Sequence, residues 1–175
     1  AIQMNAGEVF VCAGVESMSR VPMTGFNPMP NPLLQAHMPG AYMSMGETAE
    51  NVGRKYKITR REQEEFSLLS QEKAAAAATS GRLREEIVPI EVEGSVVDRD
   101  GCLRPDTTLD ALAELKPAFD QSGTVTAGTS SPLTDGAAAV LICSQQYAEE
   151  HELTPLAKIL STAVSGCEPE TMGLG

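Results

Sequence analysis

Residues 124–141 read TVTAGTSSPLTDGAAAVL, and three features follow one another in that string. A β-branched run (Thr124, Val125, Thr126) predicts a strand that ends in a tight turn at Ala127-Gly128. Small residues at such a turn let another molecule approach the backbone closely. A short polar turn or helical cap follows through Pro132 and Thr134-Asp135-Gly136. From Ala137 to Ile142 no polar side chain interrupts the run. The lack of alternation predicts a strand buried on both faces, as in the middle of an α/β sheet.

Working outward, a second apolar run at residues 8–13 (EVFVCA) predicts another buried strand, next to residues 137–142 in one sheet. Before it, AIQMNAG reads as the last turns of a helix with Gly7 as the stop. Residues 20–45 are rich in Pro, Asn, Gly and Met and keep no period, which predicts a long ordered loop. Their methionines either meet a flexible apolar ligand or fill gaps beneath an irregular loop. Ser44 and Glu47 have capping-box spacing before a helix to about Lys57. Thr59 and Glu62 repeat that spacing before a long helix to about Ser80, with Gly81 as its stop. Phe66, Leu69 and Ala76 form its expected core-facing stripe. Residues 91–103 predict a hairpin or extended excursion with turns at Glu93-Gly94 and Asp100-Gly101. A short helix capped by Asp106 or Thr107 then carries Leu109, Leu112 and Leu115 on one side. Ser144 caps a helix to about His151, and residues 154–163 return as a strand.

The chain has 175 residues and a formal charge of −11, with no Lys/Arg run. That balance argues against nucleic acid or an anionic membrane as main partner. It leaves an anionic cofactor open, because a local cationic patch is enough to bind one. No apolar run approaches the length of a membrane span, and no signal peptide is evident. Cys12, Cys102, Cys143 and Cys167 are widely spaced. Their spacing predicts no metal site and no disulfide scaffold, but reduced, mostly packed thiols in the cytoplasm.

Several of these strings resemble the thiolase family. TVTAGTSSPLTDGAAAVL resembles its TAGxSSxLxDGAAAVL segment, and GVESMS with Pro22 its GGxESMSxxP motif, with Ala13 at the first glycine. MGETAENVGRKYKITRREQEEFSLLSQEKA (residues 45–74), RPDTTLDALAELKPAFD (104–120) and SGCEPETMGLG (165–175) resemble further family segments, and RLREEIVPI (82–90) resembles a family strand, so the resemblance runs over essentially the whole chain. It implies an α/β fold in which a layered α-β-α core carries an inserted α-rich loop domain. Residues 1–19 and 133–150 would end the N-terminal core domain, 20–132 would form the loop domain, and 151–175 would begin the C-terminal core domain.

The resemblance also implies a chemistry. Thiolases transfer an acyl group to coenzyme A while cleaving or forming a carbon–carbon bond beside a thioester, using an activated cysteine, a second cysteine and an oxyanion hole. The family segments carrying those groups fall outside the stretch this chain resembles, so no residue here is expected to be catalytic. Coenzyme A or acyl-CoA would be substrate, with no permanently bound cofactor. Six residues match family positions on the coenzyme A channel. Ser131 would bond the pantetheine, Ala127 and Gly128 would give it clearance, Met45 and Met172 would line the channel, and Arg104 would stand near the nucleotide. The channel histidine of some members is Ser44 here, and a polar nucleotide contact is Ala111. The wording leans toward the degradative group, hence fatty acid β-oxidation, and toward a homo-oligomer, dimer or tetramer. The other reading is a catalytically inactive, truncated thiolase-like module that binds coenzyme A or acts through association.

Overall fold

The computed structural model describes residues Ala1–Gly175. In chain order the elements are β1 (Val9–Glu16), α1 (Pro32–His37), α2 (Met45–Tyr56), α3 (Arg60–Thr79), β2 (Ile90–Val92), β3 (Ser95–Val97), α4 (Leu109–Ala113), β4 (Gly136–Cys143) and α5 (Gln145–Glu150). Short 3-10 turns stand at Ile2–Met4, Pro39–Tyr42, Arg82–Glu85, Ala127–Thr129 and Pro169–Leu174. The chain divides into two compact units, Ala1–Met29 with Leu133–Ser165, and Pro30–Pro132 with Gly166–Gly175. The α/β class expected from the sequence holds, and no helix is long and apolar enough to cross a membrane.

The first unit is built on β1 and β4, paired antiparallel from Val9↔Cys143 to Glu16↔Gly136. The two apolar runs are therefore sheet neighbours, as expected. Further hydrogen bonds tie both ends. Ser19 donates its N–H and hydroxyl to Asp135 (2.9 and 2.5 Å), and Ser144 N–H donates to the Glu8 carbonyl (2.8 Å). The expected burial on both faces does not appear, since Val11 is 74% exposed and Val15, Val140 and Leu141 are also open. A two-stranded ribbon has no second layer, so pairing satisfies its backbone while its side chains stay in water. Residues 154–163 form no strand. They find no ladder partner, and Leu156 is fully exposed. The opening turn is 3-10, and its left-handed residue is Asn5 (φ 54°), not Gly7. Asparagine tolerates that conformation through its short polar side chain. Of the cysteines, Cys12 and Cys167 are exposed instead of packed.

The second unit follows its caps. In α2 the Ser44 and Glu47 side chains bond each other's backbone N–H, and Thr59 and Glu62 do the same at α3. Ser80 ends α3 and Gly81 turns the chain at φ 80°. The loop expected over residues 20–45 contains a helix, α1. Asn31 Oδ1 accepts from Leu33 and Leu34 N–H (2.9 and 3.2 Å), and Pro32 supplies a preset φ at the first position. Within residues 82–90 a 3-10 turn (Arg82–Glu85) stands where a strand is expected, and pairing begins only at Ile90. Glu93 and Gly94 both take positive φ between β2 and β3, the geometry of a two-residue type I′ hairpin. The α4 cap is Thr108, because Thr107 turns its hydroxyl back to the Arg104 carbonyl (2.7 Å).

The buried side of α3 also differs from expectation. Phe66 is 73% exposed, Leu69 and Ala76 are exposed, and the buried residue is Glu64. Its carboxylate accepts from Arg60 Nε (2.6 Å), and Arg60 Nη2 donates to the carbonyls of Leu112, Ala113 and Leu115 (3.0, 3.2 and 2.5 Å). The guanidinium thus holds carbonyls at and just beyond the C-terminal end of α4, where intrahelical partners run out. Leu112 and Val125 are the buried apolar residues of this unit, beside the buried polar Thr48, Glu50, Glu64 and Thr126.

Candidate functional site

All six residues expected on a coenzyme channel lie in the second unit. Ala127, Gly128 and Ser131 are carried by the segment that opens the chain's most informative stretch. Thr124–Thr126 does not become a sheet strand. Its pairing is one bridge, Pro117↔Thr126, supported by Ala118 N–H donating to the Val125 carbonyl (2.9 Å). The reason lies at its start. Thr124 and Val125 N–H both donate to Glu50 Oε1 (2.8 and 2.7 Å), whereas a regular strand sends successive N–H groups to opposite sides. The chain bends around the carboxylate instead of pairing.

Beyond that bend the turn is held internally. Thr126 N–H donates to Thr129 Oγ1 (2.9 Å), and the Thr126 carbonyl accepts from Thr129 N–H (3.1 Å) and Ser130 Oγ (2.8 Å). Thr126 is fully buried and its own hydroxyl finds no partner. The serines divide their roles. Ser130 bonds the backbone of its own turn, and Ser131 stands exposed with a hydroxyl that makes no hydrogen bond within the chain. The space that a Cβ on Gly128 would need is occupied by the Leu112 and Leu115 side chains. Glycine at 128 therefore lets α4 seat against the turn, and the open approach is at Ala127 and Ser131, both exposed.

Met45 is the first residue of α2 and Met172 lies in the Pro169–Leu174 turn, which packs against α2. Asn51 fixes that contact by donating to the Glu170 carbonyl (3.0 Å). Both methionine side chains are half exposed, available to an alkyl chain. Arg104 is exposed and in no ion pair, and its N–H donates to Gln71 Oε1 on α3 (2.9 Å). The three ion pairs are Arg54–Asp120, Arg60–Glu64 and Arg61–Glu65, so the guanidinium of Arg104 is open to an anion. Near it, desolvation and then Asp100 push the Cys102 thiol upward, against thiolate formation.

A cleft of about 490 Å³ lies between α2 and residues 119–121, lined by Met43, Glu47, Glu50, Asn51, Phe119 and Asp120 among others. None of the six expected residues lines it. Apart from Gln121, its polar groups are already engaged: Glu47 with Ser44, Asp120 with Arg54 and Ser122, Asn51 with Met43 and Glu170, Glu50 with Thr124 and Val125. Glu50 is the residue that reading the sequence missed. In the sequence Arg54 stands four residues on, the spacing of a surface ion pair on one helix face, but the structure gives Arg54 to Asp120 and Glu50 to backbone amides.

A family model described as the thiolase N-terminal domain matches residues 1–146. The chain is similar to the 3-ketoacyl-CoA thiolase of Marinobacter nauticus, at 47% identity over 182 residues, covering 100% of this chain and 46% of the relative. In structure it is similar to the dimeric peroxisomal thiolase of Saccharomyces cerevisiae, with TM-score 0.90 and 34% identity, covering 99% of this chain and 46% of that one. A human mitochondrial 3-ketoacyl-CoA thiolase solved in complex with CoA matches with TM-score 0.79 and 39% identity, covering 96% and 46%. The chain spans about half the length of the curated relatives it matches.

Proposed function

The chain belongs to the thiolase family and has a thiolase-type fold, and from that we propose that the protein is an acyltransferase acting on 3-ketoacyl-CoA. In the degradative direction the thiol of a second coenzyme A takes the shortened acyl group as the carbon–carbon bond breaks, and acetyl-CoA leaves. The reverse reaction forms that bond. The observation that carries the reading is the likeness, along 96% of the chain, to a thiolase solved with CoA.

In this reading the residues described here bind and do not react. Ser131 offers an uncommitted hydroxyl to a pantetheine amide, beside the exposed backbone at Ala127. Gly128 keeps its turn seated on Leu112 and Leu115. Met45 and Met172 supply thioether surface for the alkyl chain, and Arg104 a free guanidinium for phosphate or adenine. The same reading places the protein in fatty acid β-oxidation, as a homo-oligomer, with a dimeric thiolase among its structural relatives in support. Four unpaired thiols favour a reducing compartment, the cytoplasm.

Thiolysis of acetoacetyl-CoA by the whole protein tests this, with an intact mass to define the polypeptide assayed. Acetyl-CoA formed in proportion to free coenzyme A is the expected result. Coenzyme A binding without turnover would favour the inactive binding module, and neither binding nor turnover would end both readings.

A further inference from the structure

Glu50 is 2% exposed and no lysine or arginine pairs with it. Its partners are all on one short segment. Oε1 accepts the N–H groups of Thr124 and Val125 (2.8 and 2.7 Å), and Oε2 accepts Thr124 N–H and Oγ1 (3.1 and 3.3 Å). Gly123 makes room for this, because a Cβ there would overlap Oε1. No positive φ marks Gly123, so its need for glycine is spatial.

A buried carboxylate without a cation is a costly way to hold a helix against a loop; an apolar side chain of similar size would serve more cheaply. What the carboxylate adds is direction. One oxygen gathers two successive amides and so fixes where the chain turns. From there the backbone of Val125 and Thr126 is held on both sides: Val125 carbonyl by Ala118, Thr126 N–H by Thr129, Thr126 carbonyl by Thr129 and Ser130. Gln63 adds a bond from α3 to Thr124 Oγ1 (2.9 Å). Ser131 follows directly.

We infer that Glu50 is a positioning residue for the coenzyme A wall, its carboxylate seated at Gly123 and setting the path of residues 124–131. The inference rests on the functional reading above, in which Ala127 and Ser131 meet coenzyme A. Glu50 itself touches no substrate. Binding should therefore suffer more than chemistry when it is altered, because the wall contributes equally to bound substrate and transition state.

Two variants approach the contact from opposite sides. Glu50→Gln keeps the shape and removes the charge, and Gly123→Ala leaves Glu50 intact and puts a methyl group where Oε1 sits. In thiolysis by the whole protein each should raise KM for coenzyme A about tenfold or more while kcat stays within about threefold. Calorimetric Kd for coenzyme A should rise by the same factor, with Tm and far-UV circular dichroism close to wild type. The two effects should be non-additive in the double variant, since both break one contact. An unchanged KM and Kd in both variants, in an active wild type, overturns the inference alone, as does a fall in kcat at unchanged KM. A wild type that neither binds coenzyme A nor turns over acetoacetyl-CoA overturns the functional reading, and the inference with it.

Discussion

The ribbon of β1 and β4 and the helical unit built on α2, α3 and α4 solve opposite halves of the folding problem. In the ribbon eight residue pairs face each other in unbroken register, yet Val11, Val15, Val140 and Leu141 keep their side chains in water. In the helical unit the ladder is slight, a three-pair hairpin and one bridge, but Glu50, Glu64, Thr48 and Thr126 are buried with Leu112 and Val125. Backbone pairing and burial are separate achievements. The ribbon has direction without a core. The helical unit has a small core in which charged and polar groups supply the direction: Glu50 and Glu64 are answered by named donors, Thr48 donates its hydroxyl to the Met45 carbonyl (2.8 Å), and the Thr126 hydroxyl is the exception.

The largest effect expected from this contrast concerns association. A ribbon with apolar side chains on both faces and an unpaired outer edge on each strand invites pairing with further chain. The 175-residue chain produced alone should self-associate strongly or precipitate, as sedimentation velocity would show. A well-behaved monomer over a range of concentrations would break the comparison. The charge of −11 works against association but acts over the whole surface, whereas the ribbon's attraction is local.

A second, smaller effect separates two adjacent arginines of α3. Arg60 and Arg61 each pair with a glutamate four residues on, at 2.6 and 2.7 Å. Glu64 is buried and Arg60 also holds the carbonyls of Leu112, Ala113 and Leu115, whereas Arg61 and Glu65 are more than half exposed. Arg60→Ala should cost about 3–5 kcal/mol, since it strands a buried carboxylate. Arg61→Ala should cost about 0.5 kcal/mol or less. Urea denaturation of the two variants checks both, and equal costs would mean that Glu64 is not held as the structure has it.

What the sequence made legible divides along the same line. Both capping boxes, the Gly81 stop, the Glu93-Gly94 turn and the pairing of the two apolar runs were readable, because each depends on residues near in sequence or on a strong apolar run. Burial was misread at both strands and at Phe66, because periodicity says which side is apolar and not what covers it. Residues 154–163 have strand composition and no ladder partner. At the candidate site Ser131 and Arg104 are uncommitted, as the roles proposed for them require. At Gly128, expected to give clearance, the space beside the α-carbon is filled by Leu112 and Leu115, a packing no local pattern shows. Glu50 escaped notice because its partners are backbone amides 74 and 75 residues away, which no local pattern announces.

The smallest effect is in acid, and it compares three carboxylates across the two units. The Ser44 hydroxyl and then its N–H hold Glu47 below the ordinary carboxylate range, and Thr59 does the same for Glu62. In the ribbon the Ser19 hydroxyl and N–H lower Asp135 likewise. A carboxylate with a depressed folded value adds stability that is fully present above its unfolded value and lost as pH falls through the folded one. All three contributions should therefore hold at neutral pH and fade below about pH 4. At α2 and α3 the loss frays a helix start, because two N–H groups regain their orphan state. At the ribbon the loss opens the end where Glu16 meets Gly136, with no buried core beneath it. Carboxyl shifts followed by NMR should place all three titrations low. Ser44→Ala and Thr59→Ala should move Glu47 and Glu62 part of the way back to the ordinary range, the N–H of residues 44 and 59 still holding the rest, and Ser19→Ala should move Asp135 upward, with Ser17 and the Met18 N–H still holding part of the shift. If Glu47 titrated unchanged in Ser44→Ala, the residue 44 N–H and the helix dipole, and not the hydroxyl, would be what lowers it.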